Sequence, residues 1–186
     1  MGQIILVTGG ARSGKSSFAE KLALKIGGGR AAYIATAQIF DDEMNFRVEV
    51  HRSRRGDNWT TFEAPFAAEE KISVAGKNFG AILFDCVTIY ISNFLCAANL
   101  DNEKILCDDL RGLIEKLIDA AKNSDAVTIF VSNEVGAGIV PENKLARRFR
   151  DLAGIANQML AANSDKVFLT VAGLAVDIKK ISEVIE

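Results

Sequence analysis

The strongest constraint on this chain is an eight-residue stretch near its start, Gly9-Gly10-Ala11-Arg12-Ser13-Gly14-Lys15-Ser16, which matches G-x-x-x-x-G-K-[ST] at every fixed position. The apolar run Ile4-Ile5-Leu6-Val7 precedes it. Behind it Phe18, Leu22, Ala23 and Ile26 recur at helical spacing, and Gly27-Gly28-Gly29 closes the pattern. The order is therefore strand, glycine-rich turn, helix, the context in which the motif works. Gly9, Gly10 and Gly14 open backbone conformations that a Cβ would forbid, so successive amides can turn inward. Those amides and the helix N-terminus form a concave site for phosphate oxygens. Lys15 adds a compact positive charge at the β- and γ-phosphates, and the Ser16 hydroxyl is suited to Mg²⁺. The stretch predicts a bound nucleotide rather than a bare glycine turn.

The rest of the chain alternates in the same way. Strands are predicted at Gln3–Thr8, Ala31–Thr36, Ala81–Cys86, Val127–Ser132 and Lys166–Ala172, each short, nearly continuous in apolar residues and so suited to cover on both faces. Helices are predicted near Asp41–Arg55, Ala64–Ala75, Glu103–Asn123 and Glu142–Asn163, with Pro141 in the first turn of the last. Alternation of this kind requires right-handed crossovers and a parallel sheet. The expectation is one α/β domain over 1–186, a three-layer P-loop NTPase fold of RecA-like type with a mostly parallel central sheet. At 186 residues, 49% apolar and 25% charged, such a domain buries an ample core.

Charge and cysteine usage exclude several classes. A net charge of −2 gives no electrostatic case for nucleic acid as the main partner. No apolar run is long enough to span a bilayer and no secretory pattern opens the chain, which points to the cytoplasm. Cys86, Cys96 and Cys107 are odd in number and lack C-x-x-C spacing, so buried or half-buried free thiols are expected rather than a metal site or disulfides.

In a parallel sheet, ligands lie beyond the carboxyl ends of the strands. That rule selects Gly9–Ser16, Thr36–Gln38, Asp85–Thr88 and Asn133–Gly136. Asp85 ends the run Ile82-Leu83-Phe84, where a second Mg²⁺-associated carboxylate suits this architecture. The competing reading is a helix-capping or turn aspartate. The stretch Asp41 to Arg55 places acids at its start and arginines at its end, matching a helix dipole. Helical spacing sets Arg47, His51, Arg54 and Arg55 on neighbouring positions of one face, with His51 the single histidine of the chain. Neighbouring guanidinium groups favour a neutral imidazole, which can attack a nucleotide α-phosphate. A solvated, charged helix end carrying an incidental histidine is the plainer reading.

Taken together, these blocks resemble the bifunctional adenosylcobinamide kinase/adenosylcobinamide-phosphate guanylyltransferase family of cobalamin biosynthesis. The marks are Thr8–Ser16, Ile34-Ala35-Thr36-Ala37-Gln38, Asp41-Asp42-Glu43-Met44, Asp85-Cys86-Val87-Thr88, Ser92-Asn93 and Ser132–Gly136. The most specific is Gly138-Ile139-Val140-Pro141-Glu142-Asn143 followed by Leu145–Gly154. The resemblance implies phosphorylation of adenosylcobinamide with ATP or GTP. It also implies transfer of GMP from GTP, through a guanylylated histidine, to adenosylcobinamide phosphate, giving adenosylcobinamide-GDP. On this reading His51 is the nucleophile. Ala35, Thr36, Ala37, Arg52, Ser53, Arg54, Arg55, Glu63 and Asp85 join Gly9–Ser16 at the nucleotide, Ser16 and Asp85 serve Mg²⁺, and the protein is a homotrimer. Ala137 stands where the family commonly has methionine, and Gly173–Lys179 lacks a proline often found there. Two other readings remain at this stage: a plain P-loop kinase of a small metabolite, and a RecA-like ATPase that binds nucleic acid or protein.

Overall fold

In a computed structural model, residues 2–38, 56–98 and 102–183 are described. Strand β1 (Ile4–Gly9) leads through the glycine-rich turn into helix α1 (Lys15–Ile26), and β2 (Ala31–Ala35) follows. The next elements are β3 (Trp59–Glu63), α2 (Ala68–Ala75), β4 (Ala81–Asp85), α3 (Val87–Ala97) and α4 (Glu103–Lys122). The chain continues with β5 (Val127–Asn133), α5 (Lys144–Asn163), β6 (Lys166–Val171), β7 (Leu174–Asp177) and the single-turn α6 (Ile178–Ile181).

The described strands form one sheet in the order β3-β2-β4-β5-β1-β6-β7. All pairs are parallel except β6 with β7. One strand, β5, thus lies between the strand that launches the phosphate loop and the strand that ends in Asp85. Alternate side chains divide into two cores. Ile5, Val7, Leu83, Ile129 and Val131 pack with Ala19 and Ala23 of α1 on one face. Ile4, Leu6, Ile34, Ile82, Phe84 and Phe130 pack under α2–α5 on the other. Buried on both faces, the central strands have no use for polar alternation, which is why their sequences read as apolar runs.

The five predicted strands are present to within a residue or two. Strand β3 was not expected: at the sheet edge it pairs with one neighbour, and Thr60 and Thr61 stay exposed, so its sequence carries little apolar signal. Strand β7 is short and lies at the other edge. Helix α3 was also not expected. Val87, Tyr90, Ile91 and Leu95 are all buried, leaving no polar face to reveal the 3.6-residue period. Helix α2 begins at Ala68, after Pro65, rather than at Ala64. Pro141 lies outside α5, because Asn143 is the N-cap and its Oδ1 accepts from Leu145 N (2.8 Å) and Ala146 N (3.2 Å). Cys86 is buried and Cys107 half-buried as expected, but Cys96 is exposed near the end of α3. The helical reading of Asp41–Arg55 falls outside the described residues. None of the described helices is long and apolar enough to cross a membrane.

The Asn143 cap orders the end of α5 that faces the carboxyl side of the sheet. Replacing Asn143 with alanine is expected to cost about 1 kcal/mol. In thermal denaturation this appears as a fall in Tm of roughly 2–4 °C.

Candidate functional site: a phosphate loop facing a row of polar strand ends

Backbone contacts with the C-terminal strands set the shape of the phosphate loop. Gly14 is the N-cap of α1 in the left-handed region (φ 96°), and no side chain caps the helix there. An added Cβ at Gly14 would stand 3.0 Å from the Gly173 Cα, so glycine is required by conformation and by space together. At Gly9 a Cβ would lie 2.5 Å from the Thr170 carbonyl oxygen. Gly10, by contrast, faces open space, and Arg12 holds a left-handed conformation (φ 57°) in the turn. Ala11 and Arg12 are exposed beside it.

Ser13 is committed to the protein itself. Its N–H donates to Gly10 O (3.2 Å), its carbonyl accepts from Gly173 N (2.9 Å), and its hydroxyl bonds the Thr170 hydroxyl (2.8 Å). It shapes the loop, a task no motif letter announces, because the partners Thr170 and Gly173 lie some 160 residues away. Lys15, in the first turn of α1, is buried, and its Nζ donates to Gly10 O (3.2 Å). Burial lowers its pKa, against an opposing pull from nearby Cys86 and Asp85. Lys15 and Asp85 are therefore close enough to sense each other. Ser16 follows Lys15, half-buried.

Asp85 closes β4 and does not cap α3, whose N-cap is Cys86 and lacks a side-chain bond. Its Oδ2 accepts from the Tyr33 hydroxyl (2.8 Å), and that ring is held edge-on against Trp59. The buried Thr36 hydroxyl donates to Cys86 O and accepts from Cys86 N, both at 2.9 Å, tying the end of β2 to the end of β4. Asn93 of α3 donates to Thr36 O (2.8 Å) and Pro65 O (3.1 Å). Ala35 pairs with Glu63 in the β2–β3 register, and Ala37 lies just past β2. Cys86 is fully buried. Desolvation, with Asp85 adding to it, pushes the thiol up to about 11, so it is a neutral packing group and not a nucleophile at physiological pH.

A second hydrogen-bonded chain crosses the end of β5. Thr88 Oγ1 bonds Cys86 Sγ (3.2 Å) and accepts from Asn133 Nδ2 (2.7 Å). Asn157 of α5 accepts from the Ser132 hydroxyl (2.6 Å) and donates to Asn133 O (3.2 Å). The loop beyond is tethered by Arg150 to Gly136 O (2.8 Å) and by Arg147 to Pro141 O (3.0 Å). Arg147 and Arg150 thus brace this loop.

The predicted residues Gly9–Ser16, Ala35, Thr36, Ala37, Glu63 and Asp85 all lie on the loop or at the carboxyl ends of β1, β2, β3 and β4. His51, Arg52, Ser53, Arg54 and Arg55 fall outside the described residues.

Residues 5–178 match the family model described as cobinamide kinase / cobinamide phosphate guanyltransferase. The chain belongs to that family. It is 44% identical over 187 residues to the bifunctional adenosylcobalamin biosynthesis protein CobU of Salmonella typhimurium, covering 95% of this chain and 99% of that one. A CobU of Escherichia coli is 43% identical (95% and 99% covered) and a CobP of Pseudomonas aeruginosa 40% (94% and 96%). Among solved structures, the RadB recombinase superposes with a TM-score of 0.49 at 17% identity, covering 90% of this chain and 73% of that chain. The flagellar accessory protein FlaH of Methanocaldococcus jannaschii gives 0.46 at 13% identity, covering 93% and 74%. As a member of the cobinamide kinase / cobinamide phosphate guanyltransferase family, the chain is a nucleotide-binding transferase of cobalamin biosynthesis.

Two outcomes follow from this geometry. Gly14→Ala should abolish nucleotide binding in a fluorescent-nucleotide titration. Lys15 has a lowered pKa in the free protein, and a bound triphosphate favours its charged form. Binding at pH values around and above the lowered pKa should therefore take up a proton, and affinity should fall as pH rises through it. Calorimetry in two buffers of different ionisation enthalpy should show the uptake for wild type and not for Lys15→Met.

Proposed function

We propose that the whole chain works as one catalytic domain that uses ATP or GTP to phosphorylate adenosylcobinamide and then guanylylates the product, as a homotrimer in the cytoplasm. The observation that carries this reading is the phosphate loop with Lys15 and Asp85 in mutual range, in a chain matched over nearly its full length to bifunctional relatives.

In the kinase step the amides of Gly9–Ser16 and the uncapped N-terminus of α1 hold the phosphates, and Lys15 neutralises charge that develops during transfer. The substrate hydroxyl attacks the γ-phosphorus and releases its proton to solvent, the bond to the β-phosphate oxygen breaks, and the nucleoside diphosphate leaves. The Ser16 hydroxyl and the Asp85 carboxylate are hard oxygen donors on the same side of the sheet, a donor set suited to Mg²⁺. When bound, Mg²⁺ would neutralise phosphate charge. Tyr33 would keep Asp85 aimed toward the loop.

In the guanylyl step a neutral His51 nitrogen attacks the α-phosphorus of GTP, an N–P bond forms, and pyrophosphate leaves as the ring's other nitrogen gives up its proton. A phosphate oxygen of adenosylcobinamide phosphate then attacks the same phosphorus. The N–P bond breaks, His51 is restored, and adenosylcobinamide-GDP is released. Arg52, Ser53, Arg54, Arg55, Glu63, Ala35, Thr36 and Ala37 would surround the guanine nucleotide. This assignment rests on the resemblance and on the presence of a single histidine.

Intact-protein mass after incubation with GTP and Mg²⁺ tests the covalent step. Wild type should gain one GMP, lost on mild acid treatment, and His51→Ala should gain none while still phosphorylating adenosylcobinamide. Absence of the adduct from wild type would remove the covalent mechanism and leave a simple kinase.

A further inference from the structure

Parallel register and side-chain alternation fix what the centre of the sheet presents to a bound nucleotide. Val7, Leu83 and Val131 all pack into the core beneath α1. Two residues further along each strand come Gly9, Asp85 and Asn133, which by alternation emerge on that same face. Gly9 is directly opposite Asn133 in the β1–β5 register, and Glu134 N donates to Gly9 O (3.0 Å), so the end of β5 is bonded to the first residue of the phosphate loop. Asp85 lies opposite Val131, one step down on the other side. Asn133 is therefore the polar side chain between the loop and the carboxylate, on the face where α1 starts and Lys15 sits.

Its orientation is set from both ends. Asn157 Nδ2 holds the Asn133 carbonyl, and Thr88 Oγ1 accepts one amide hydrogen at 2.7 Å. Thr88 is itself buried and bonded to the Cys86 thiol. The Asn133 amide nitrogen carries a second hydrogen. A neutral donor suits this place: it can bond a phosphate oxygen without adding a charge that must be desolvated beside Lys15.

We propose that Asn133 is a ligand-contacting residue of the kinase step, its amide donating to the terminal phosphate of the nucleoside triphosphate held by the loop, and that Thr88 is the positioning residue that aims it. The inference rests on the kinase reading above. It makes Asn133 a group that, beside Lys15, distinguishes a triphosphate from a diphosphate, since the loop amides already serve the phosphates that both share.

The test compares ATP and ADP affinities and steady-state adenosylcobinamide phosphorylation for wild type, Asn133→Ala, Thr88→Val and Thr88→Ser, with melting curves for each. Asn133→Ala should bind ADP as wild type does but lose about 10-fold or more in ATP affinity and in kcat, the size expected for one hydrogen bond to a charged group. Thr88→Val should shift the same ATP-to-ADP ratio by a smaller factor, and Thr88→Ser, which keeps the hydroxyl, should restore it. An unchanged ratio in Asn133→Ala, or equal losses for ATP and ADP in both Asn133→Ala and Thr88→Val, would overturn the proposal. Wild type that binds ATP but does not phosphorylate adenosylcobinamide would instead remove the kinase reading, and the ATP-to-ADP ratios would still decide whether Asn133 meets the terminal phosphate.

Discussion

The pairing of β5 between β1 and β4 governs the functional side of this molecule. Parallel ladders fix the height of every strand end, and alternation fixes the face on which each side chain emerges. Loop, carboxylate and amide come from segments separated by some 70 and some 50 residues, yet the hydrogen bonds of three adjacent strands place them in one row. A slip of one residue in the β4–β5 register would send Asp85 to the opposite face, under α3 and α4. The apolar interior of the sheet is thus the alignment device for its polar edge.

Around that row, buried polar groups act as struts. Thr36 grips both sides of the Cys86 peptide, and Asn93 joins Thr36 to Pro65, so the chain entering and the chain leaving residues 37–64 are held by one amide. An unsatisfied buried polar group is costly, whereas a fully paired one rigidifies its surroundings. Lys179 does similar work at the far end of α5, donating to the carbonyls of Ala161, Ala162 and Ser164. These bonds determine how firmly the groups of the site are aimed.

Much of this was legible in the sequence, for identifiable reasons. The motif Gly9–Ser16 carries its own flanks, and doubly covered strands announce themselves as apolar runs. Asp85 could be singled out because it ends such a run. Edge strand β3 and helix α3, whose polar residues Thr88 and Asn93 are themselves buried, were hidden because each lacks the contrast between faces on which periodicity depends. The Ser13–Thr170 and Tyr33–Asp85 bonds were hidden for a different reason: single hydroxyl contacts between distant segments leave no local pattern. Asn133 lay in view within Ser132–Gly136, but only the register shows that it stands beside Gly9.

The contact of Gly173 with Ser13 and Gly14 joins the phosphate loop to the β6–β7 hairpin. On the ribosome, β1 and the glycine-rich turn emerge some 160 residues before the strand and turn that back them. The loop cannot take its finished shape until residues 170–173 have left the exit tunnel.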